Sequence, residues 1–171
     1  NRITSVGTGL TTPTGGDIVQ SINAAETKIH GVETALDFLV SDALSLHAML
    51  NYTWGEQQVR GELAEPAGRI PPLNSRVTVE YVTGSDYLLS AWARFADAQD
   101  RLSARDVRDV RIDPDGTAGW GIVGLSAQKE FSQNWWVSLT LENLLDKRYR
   151  NHGSGLDAPG QNVIFSARYE W

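Results

Sequence analysis

Chemistry in this chain would have to come from three histidines and two charged loops. His30, His47 and His152 are far apart and match no metal-ligand spacing. No GxSxG elbow accompanies them, so a nucleophilic triad cannot be read from their positions. His47 reads as an ordinary polar residue on the wet side of an alternating run. The loop DAQDRLSARDVRDVRIDPDG, Asp97 to Gly116, holds six Asp and four Arg. Its DPDG lacks the spaced acidic ligands and terminal Glu of a calcium loop and reads as a turn. Arg101, Arg105, Arg108 and Arg111 offer planar forks that suit an anionic ligand or a lipid phosphate; the plainer reading is a solvated loop of mixed charge. The same two readings apply to EQQVRGELAEPAGRIPP, with Arg60, Glu62, Glu65 and Arg69. The glycines of GTG and TGG lack the rest of a phosphate loop, and the NYT at Asn51 sits inside a strand pattern. No catalytic, metal or cofactor site is expected. What remains is binding.

Composition narrows the partners. The chain has 171 residues, a net charge of −6 and no cysteine. Disulfides and thiolate chemistry are excluded, and an acidic balance argues against nucleic acid. No window approaches the ~18 consecutive apolar residues of a membrane-spanning helix. A membrane barrel escapes that test, because it hides its apolar residues at every second position. The opening NRITSVGTG has neither Met nor a signal segment, which leads us to expect a piece of something longer.

The elements that must position these loops have a period of two. In LSLHAMLNYTW, residues Leu44, Leu46, Ala48, Leu50, Tyr52 and Trp54 oppose Ser45, His47, Met49, Asn51 and Thr53. Similar runs recur at SRVTVEYVT, YLLSAWARF, WGIVGLSAQKEF, WVSLTLEN and NVIFSARYEW. Adding AETKIHGVETALDFLV and a partial strand near Arg2 to Val6 predicts about eight antiparallel strands. Short turns at 41–43, 83–86 and 132–134 alternate with long polar loops near 9–17, 56–74, 97–118 and 145–160. Tight turns at one end and long loops at the other is how an outer-membrane barrel is built. Aromatics at strand ends (Tyr52, Trp54, Tyr87, Phe95, Trp120, Trp135, Trp136, Tyr169 and Trp171) fit interfacial girdles. A soluble antiparallel barrel or sandwich shows the same alternation, and patterning alone leaves it open.

Four stretches carry a resemblance. LENLLDKRY, Leu141 to Tyr149, resembles the veNLfDkrY signature near the end of TonB-dependent outer-membrane receptors, through Asn143, Leu144, Asp146, Lys147, Arg148 and Tyr149. NAAETKIHGVETAL is similar to that family's N…a.i.GvE strand, through Asn23, Ala25, Ile29, Gly31, Val32 and Glu33. RIPPLNSRV resembles the iPph segment entering the next strand. APGQNVIFSARYEW, with Gly160, resembles the terminal pGRn…l.y.f strand, although Gln161 replaces the usual Arg and Trp171 the commoner Phe. The resemblance spans roughly residues 20 to 171.

The resemblance implies an all-β, antiparallel transmembrane barrel of about 22 strands with a plugged lumen. Residues 1–171 would then be its C-terminal portion, with the plug and earlier strands absent. It implies a receptor that takes up a scarce solute, most commonly a ferric siderophore, and that couples to the TonB complex through a missing N-terminal part. It also implies contact with outer-membrane lipid and lipopolysaccharide. Val163, Phe165, Tyr169 and Trp171 resemble the signal read by the barrel-assembly machinery, and Arg150 and His152 join the loop arginines as ligand candidates. Two rivals stay open: a small, complete eight-stranded outer-membrane barrel with a structural or adhesive role, and a soluble β-sheet binding module.

Overall fold

The computed structural model describes residues 3–23, 26–58 and 63–171. Ten strands form: β1 Ile3–Thr11, β2 Asp17–Asn23, β3 Glu26–Ser41, β4 Leu44–Gln58, β5 Glu65–Pro66, β6 Asn74–Val82, β7 Tyr87–Ala96, β8 Trp120–Ser132, β9 Trp135–Glu142 and β10 Asn162–Tyr169. One helical turn, α1 Ala104–Val107, interrupts the loop after β7. All pairings are antiparallel. The main sheet runs β10-β9-β8-β7-β6-β4-β3, with β5 paired to β4, and β1 and β2 form a separate hairpin. The sheet does not close on itself: β3 and β10 are its two edges.

The register shows why alternation governs this fold. Across the strands, Phe38 stands opposite Leu46, then Val79, Ala91, Leu125, Leu141 and Val163 follow in one apolar row. One step along, Asp37 meets His47, followed by Thr78, Trp92 and Gly124. A side chain alternates faces with every residue, so a continuous ladder sorts the sequence into one apolar and one polar surface. The apolar surface is bare: Leu36, Phe38, Val163 and Phe165 are each more than 60% exposed. An uncovered apolar face of this size marks a contact surface rather than a face left to water.

Burial is concentrated elsewhere, on the polar face and in the loops beyond it. Trp92, Ala96 and Ile122 are buried on the sheet's polar side, while Ala67, Ile70, Ile112, Ser103 and Asp106 are buried in the loops. Trp92 lies across β8 at Gly124, where a Cβ would collide with the indole and stand 2.8 Å from the Leu141 carbonyl oxygen. At Gly31 a Cβ would likewise run into the Tyr52 carbonyl oxygen.

Several expectations are corrected. The long loop near 9–17 is a tight turn, Thr12 to Gly16, because β1 extends to Thr11 and a strand not foreseen, β2, returns from Asp17. Trp120 and Trp136 do not join an apolar girdle: the register sets them in the polar rows, opposite Ala96 and Arg168. Trp171 lies past the end of β10 and is fully exposed. Arg2 falls outside the described residues.

The Trp92–Gly124 contact generates a test. Gly124→Ala should cost about 1–3 kcal/mol by forcing the indole off its seat. Gly84→Ala, with nothing within 4 Å of the new methyl, should be neutral. Urea unfolding of the full-length protein in detergent, read by the heat-dependent gel shift of a folded barrel, compares the two.

Candidate ligand-facing surface

The loops at the long-loop end are packed, and a buried carboxylate organises them. Ser103 caps α1 and forms a capping box with Asp106, which is 1% exposed. Asp106 also accepts the Arg69 backbone N–H through both oxygens, each at 3.2 Å. Arg69, in the left-handed region at φ 65°, turns its side chain to Asp109. Arg111 grips the same carboxylate through Nε at 2.9 Å and Nη2 at 2.8 Å. Two guanidinium groups hold Asp109 well below the usual carboxylate range, the Arg111 bonds being the largest cause. Gln99 donates to the Ile70 carbonyl at 2.9 Å and completes the join between the two loops. Asp106, Asp109 and Arg111 therefore form a clamp with Arg69, while most other charges of 97–116 stay exposed as a solvated loop would have them.

The loop 143–161 is closed by its signature residues. Asn143, at φ 50° and 2% exposed, accepts the Lys147 N–H at 2.9 Å and donates to the carbonyls of Lys147 and Pro159, at 2.9 and 3.1 Å. Leu144 donates its N–H to Val123, tying the loop to β8. The Asp146 carboxylate accepts the Gln161 N–H at 3.0 Å, and Gly160 leaves room for it, since a Cβ there would strike that oxygen. Gln161 itself donates to the Leu144 carbonyl at 2.8 Å, so the residue that departs from the family pattern still fastens the loop. Tyr149 packs at a tilt of 43° against Trp120, with centroids 4.5 Å apart. The geometry gives the signature an anchoring role.

The ligand candidates separate into bound and unbound cations. Arg101 lies over the Trp54 ring at 4.7 Å with Glu56 at 3.8 Å. Arg111 is spent on Asp109, and Arg150 shares Asp157 with Arg148, which lowers the Asp157 pKa. Arg108 donates to the Ala104 carbonyl, and among the described residues neither it nor Arg105 forms an ion pair. Arg60 and Glu62, like Ala25, lie outside the described residues. His152 meets the Thr117 hydroxyl at 2.9 Å, and burial lowers its pKa. Glu33 accepts from Asn51 at 2.7 Å on the polar face. Tyr169 stacks on Trp135 at 5.0 Å, and Val163 and Phe165 face outward beside it.

Two arrangements were not foreseen. His47 stands 2.6 Å from Asp37, 3.2 Å from the Ser45 hydroxyl and 3.5 Å from Glu80. A carboxylate stands within reach of each ring nitrogen, which suits the imidazole poorly as a base for Ser45. The second is a cavity of about 470 Å³ under the loops, lined by Met49, Arg76, Arg94, Trp120, Asn151 and His152 among others. The turn at 83–86 could have revealed it, because that hairpin sets Arg76 directly opposite Arg94. Among the described residues no group of three or more His, Asp or Glu is placed to hold a metal.

A family model described as TonB dependent receptor-like, beta-barrel, matches residues 1–144. The match begins earlier than the sequence resemblance and stops at Leu144, inside the NLLDKRY segment. Among solved structures, the copper transporter OprC is 21% identical, with a TM-score of 0.74 over 90% of this chain and 25% of its own. The siderophore receptor PiuA from Acinetobacter baumannii is 17% identical, with a TM-score of 0.63 over 98% of this chain and 24% of its own. The ferripyoverdine receptor of the outer membrane of Pseudomonas aeruginosa is 15% identical, with a TM-score of 0.62 over 99% of this chain and 23% of its own. The chain thus spans about a quarter of the length of these structures. No curated protein matches it.

Two outcomes test the loop layer. Asn143→Ala strands a backbone N–H and two carbonyls, which should cost about 1–3 kcal/mol. Trypsin should then cut after Lys147 and Arg148 in the folded protein faster than in the wild type. The Asp109 clamp has a depressed folded-state pKa, so its stabilisation is complete above the ordinary carboxylate range. It is lost as pH falls below that range toward the residue's own lower value. Amide exchange across 97–118, divided by the intrinsic rate at each pH, should therefore be flat from pH 8 to pH 5 in the wild type. Asp109→Asn should raise it at every pH in that window.

Proposed function

Because the chain belongs to the TonB-dependent receptor family, whose members are outer-membrane β-barrels that transport and do not catalyse, we propose that it supplies the C-terminal wall and loops of such a receptor. The observation that carries this reading is the family match over a sheet with one bare apolar face, one polar face and a packed loop layer at one end. In the complete protein the polar face lines a plugged lumen and the loops face outward. Scarce solute is captured there, and the TonB complex drives its release inward through the part of the receptor that precedes these strands.

A ferric siderophore is the cargo we favour. The receptors of Acinetobacter and Pseudomonas that share this fold are named for siderophores, and the arginine-lined cavity suits a chelate with anionic oxygens. The copper transporter among the similar structures keeps copper as the second candidate. The sheet's unpaired edges at β3 and β10 speak for a wall segment over a small eight-stranded barrel. Leu36, Phe38 and Phe165, bare on one face, speak against a soluble module. We further propose that this face meets outer-membrane lipid, that outward loop arginines reach lipopolysaccharide phosphate, and that Val163, Phe165, Tyr169 and Trp171 present the signal for barrel assembly.

The test is uptake by living cells. Deleting the complete gene should abolish TonB-dependent accumulation of radioactive iron from at least one ferric siderophore, and restoring it should return uptake only in cells with TonB. Unchanged uptake of every chelate tried, together with lost copper accumulation, would move the assignment to copper. Recovery of the protein in the soluble fraction, monodisperse without detergent, would overturn the membrane reading.

A further inference from the structure

The wall itself holds a cation pair with no acid to answer it. Arg76 on β6 and Arg94 on β7 are direct cross-strand partners on the polar face. Like charges in that position repel. Among the described residues neither makes an ion pair. Arg76 donates to the Thr78 hydroxyl at 3.2 Å and lies over the Trp92 ring at 5.0 Å; Arg94 lies 5.7 Å from the Trp120 ring centroid. The two indoles hold the guanidinium groups by their faces, which leaves the N–H forks free to donate. Trp92 is itself fixed against Gly124, and Trp120 against Tyr149, so the platforms are rigid.

Both arginines open into the cavity of about 470 Å³, together with the side chains of Asn151 and His152 from the last loop. That volume lies within the ~300–1,000 Å³ of small-molecule sites. A second guanidinium opposite the first fits an anion with several oxygens better than a single charge, because each fork can take two of them. We propose that Arg76 and Arg94 form an oxyanion site in the receptor wall, which takes a carboxylate- or phosphate-bearing small molecule. This rests on the uptake reading and narrows it: the cargo, or its chelating part, is anionic and carries at least two such oxygens. The site is distinct from the outer loop arginines, most of which already have partners.

Titration calorimetry on the complete receptor in detergent, with citrate and then inorganic phosphate as probes, tests the site without any transport. The wild type should bind citrate, more weakly as salt rises. The double variant Arg76→Gln/Arg94→Gln should lose at least tenfold in affinity. Arg76→Lys should fall between, since it keeps the charge and loses the fork, and Lys147→Gln should be unaffected. The heat-dependent gel shift confirms that each variant is folded. Equal binding by the wild type and the double variant would overturn the proposal. So would a wild type that binds neither probe; a double variant that is also less heat-stable would then assign the pair to a carboxylate elsewhere in the complete chain. Citrate binding does not require TonB, so failure of the uptake reading alone would leave this titration intact.

Discussion

A strand that crosses hydrocarbon must bond every N–H and C=O to a neighbouring strand, because no water is present to take them. The rest of this molecule is arranged around that demand. It requires a continuous antiparallel ladder, here running from β3 to β10, and the ladder then sorts side chains by parity into an apolar row and a polar row. Apolar residues that a soluble protein would bury are left bare, and the tightest packing moves to the inner wall and the loops. Ser103, Asp106 and Asn143, the most deeply buried polar side chains, all lie beyond the strands.

This division explains what could be read from the residues alone. Alternation at Leu44–Trp54 and Val77–Tyr81 is a local signal, and the strands followed it. The polar loop expected near 145–160 opens at Asn143, since β9 ends at Glu142. Parity also made Trp120 legible, yet its place at a strand end suggested a girdle, and the stacking partner Tyr149 lies 29 positions away. The TTPTGG turn looks like part of a long loop in the sequence because its polar residues continue into β1 and β2, whose pairing no local pattern announces. The clamp inside the charged loop is hidden from the sequence for a related reason. Asp106 becomes structural only when the Arg69 N–H arrives from the preceding loop, and such an encounter has no period.

The family signature gains a physical account from the same geometry. Its polar residues look suited to a ligand, yet Asn143 and Asp146 spend their side chains on backbone groups of their own loop. They make the loop 143–161 return to the sheet at a fixed place. Among the described residues, Arg76 and Arg94 in the wall and Arg105 and Arg108 in the loop layer make no ion pair, so uncompensated positive charge stands in two tiers.

The facing of Arg76 and Arg94 has a consequence for how such a wall can change over evolutionary time. Insertion of one residue into β6 ahead of Arg76, with the start of the strand held in register, would swing the arginine to the apolar surface, where a charge costs roughly 2–4 kcal/mol at a bilayer midplane and less toward the interfaces. The same slip would invert every later side chain of the strand. Length changes in the wall are therefore admissible in steps of two, or when a bulge absorbs the odd residue, as the register shifts near Ser41 and Ser132 do at the short-turn end. The loops obey no such arithmetic. New specificities can be tried there one residue at a time, while the barrel beneath them inherits its spacing almost as a reading frame.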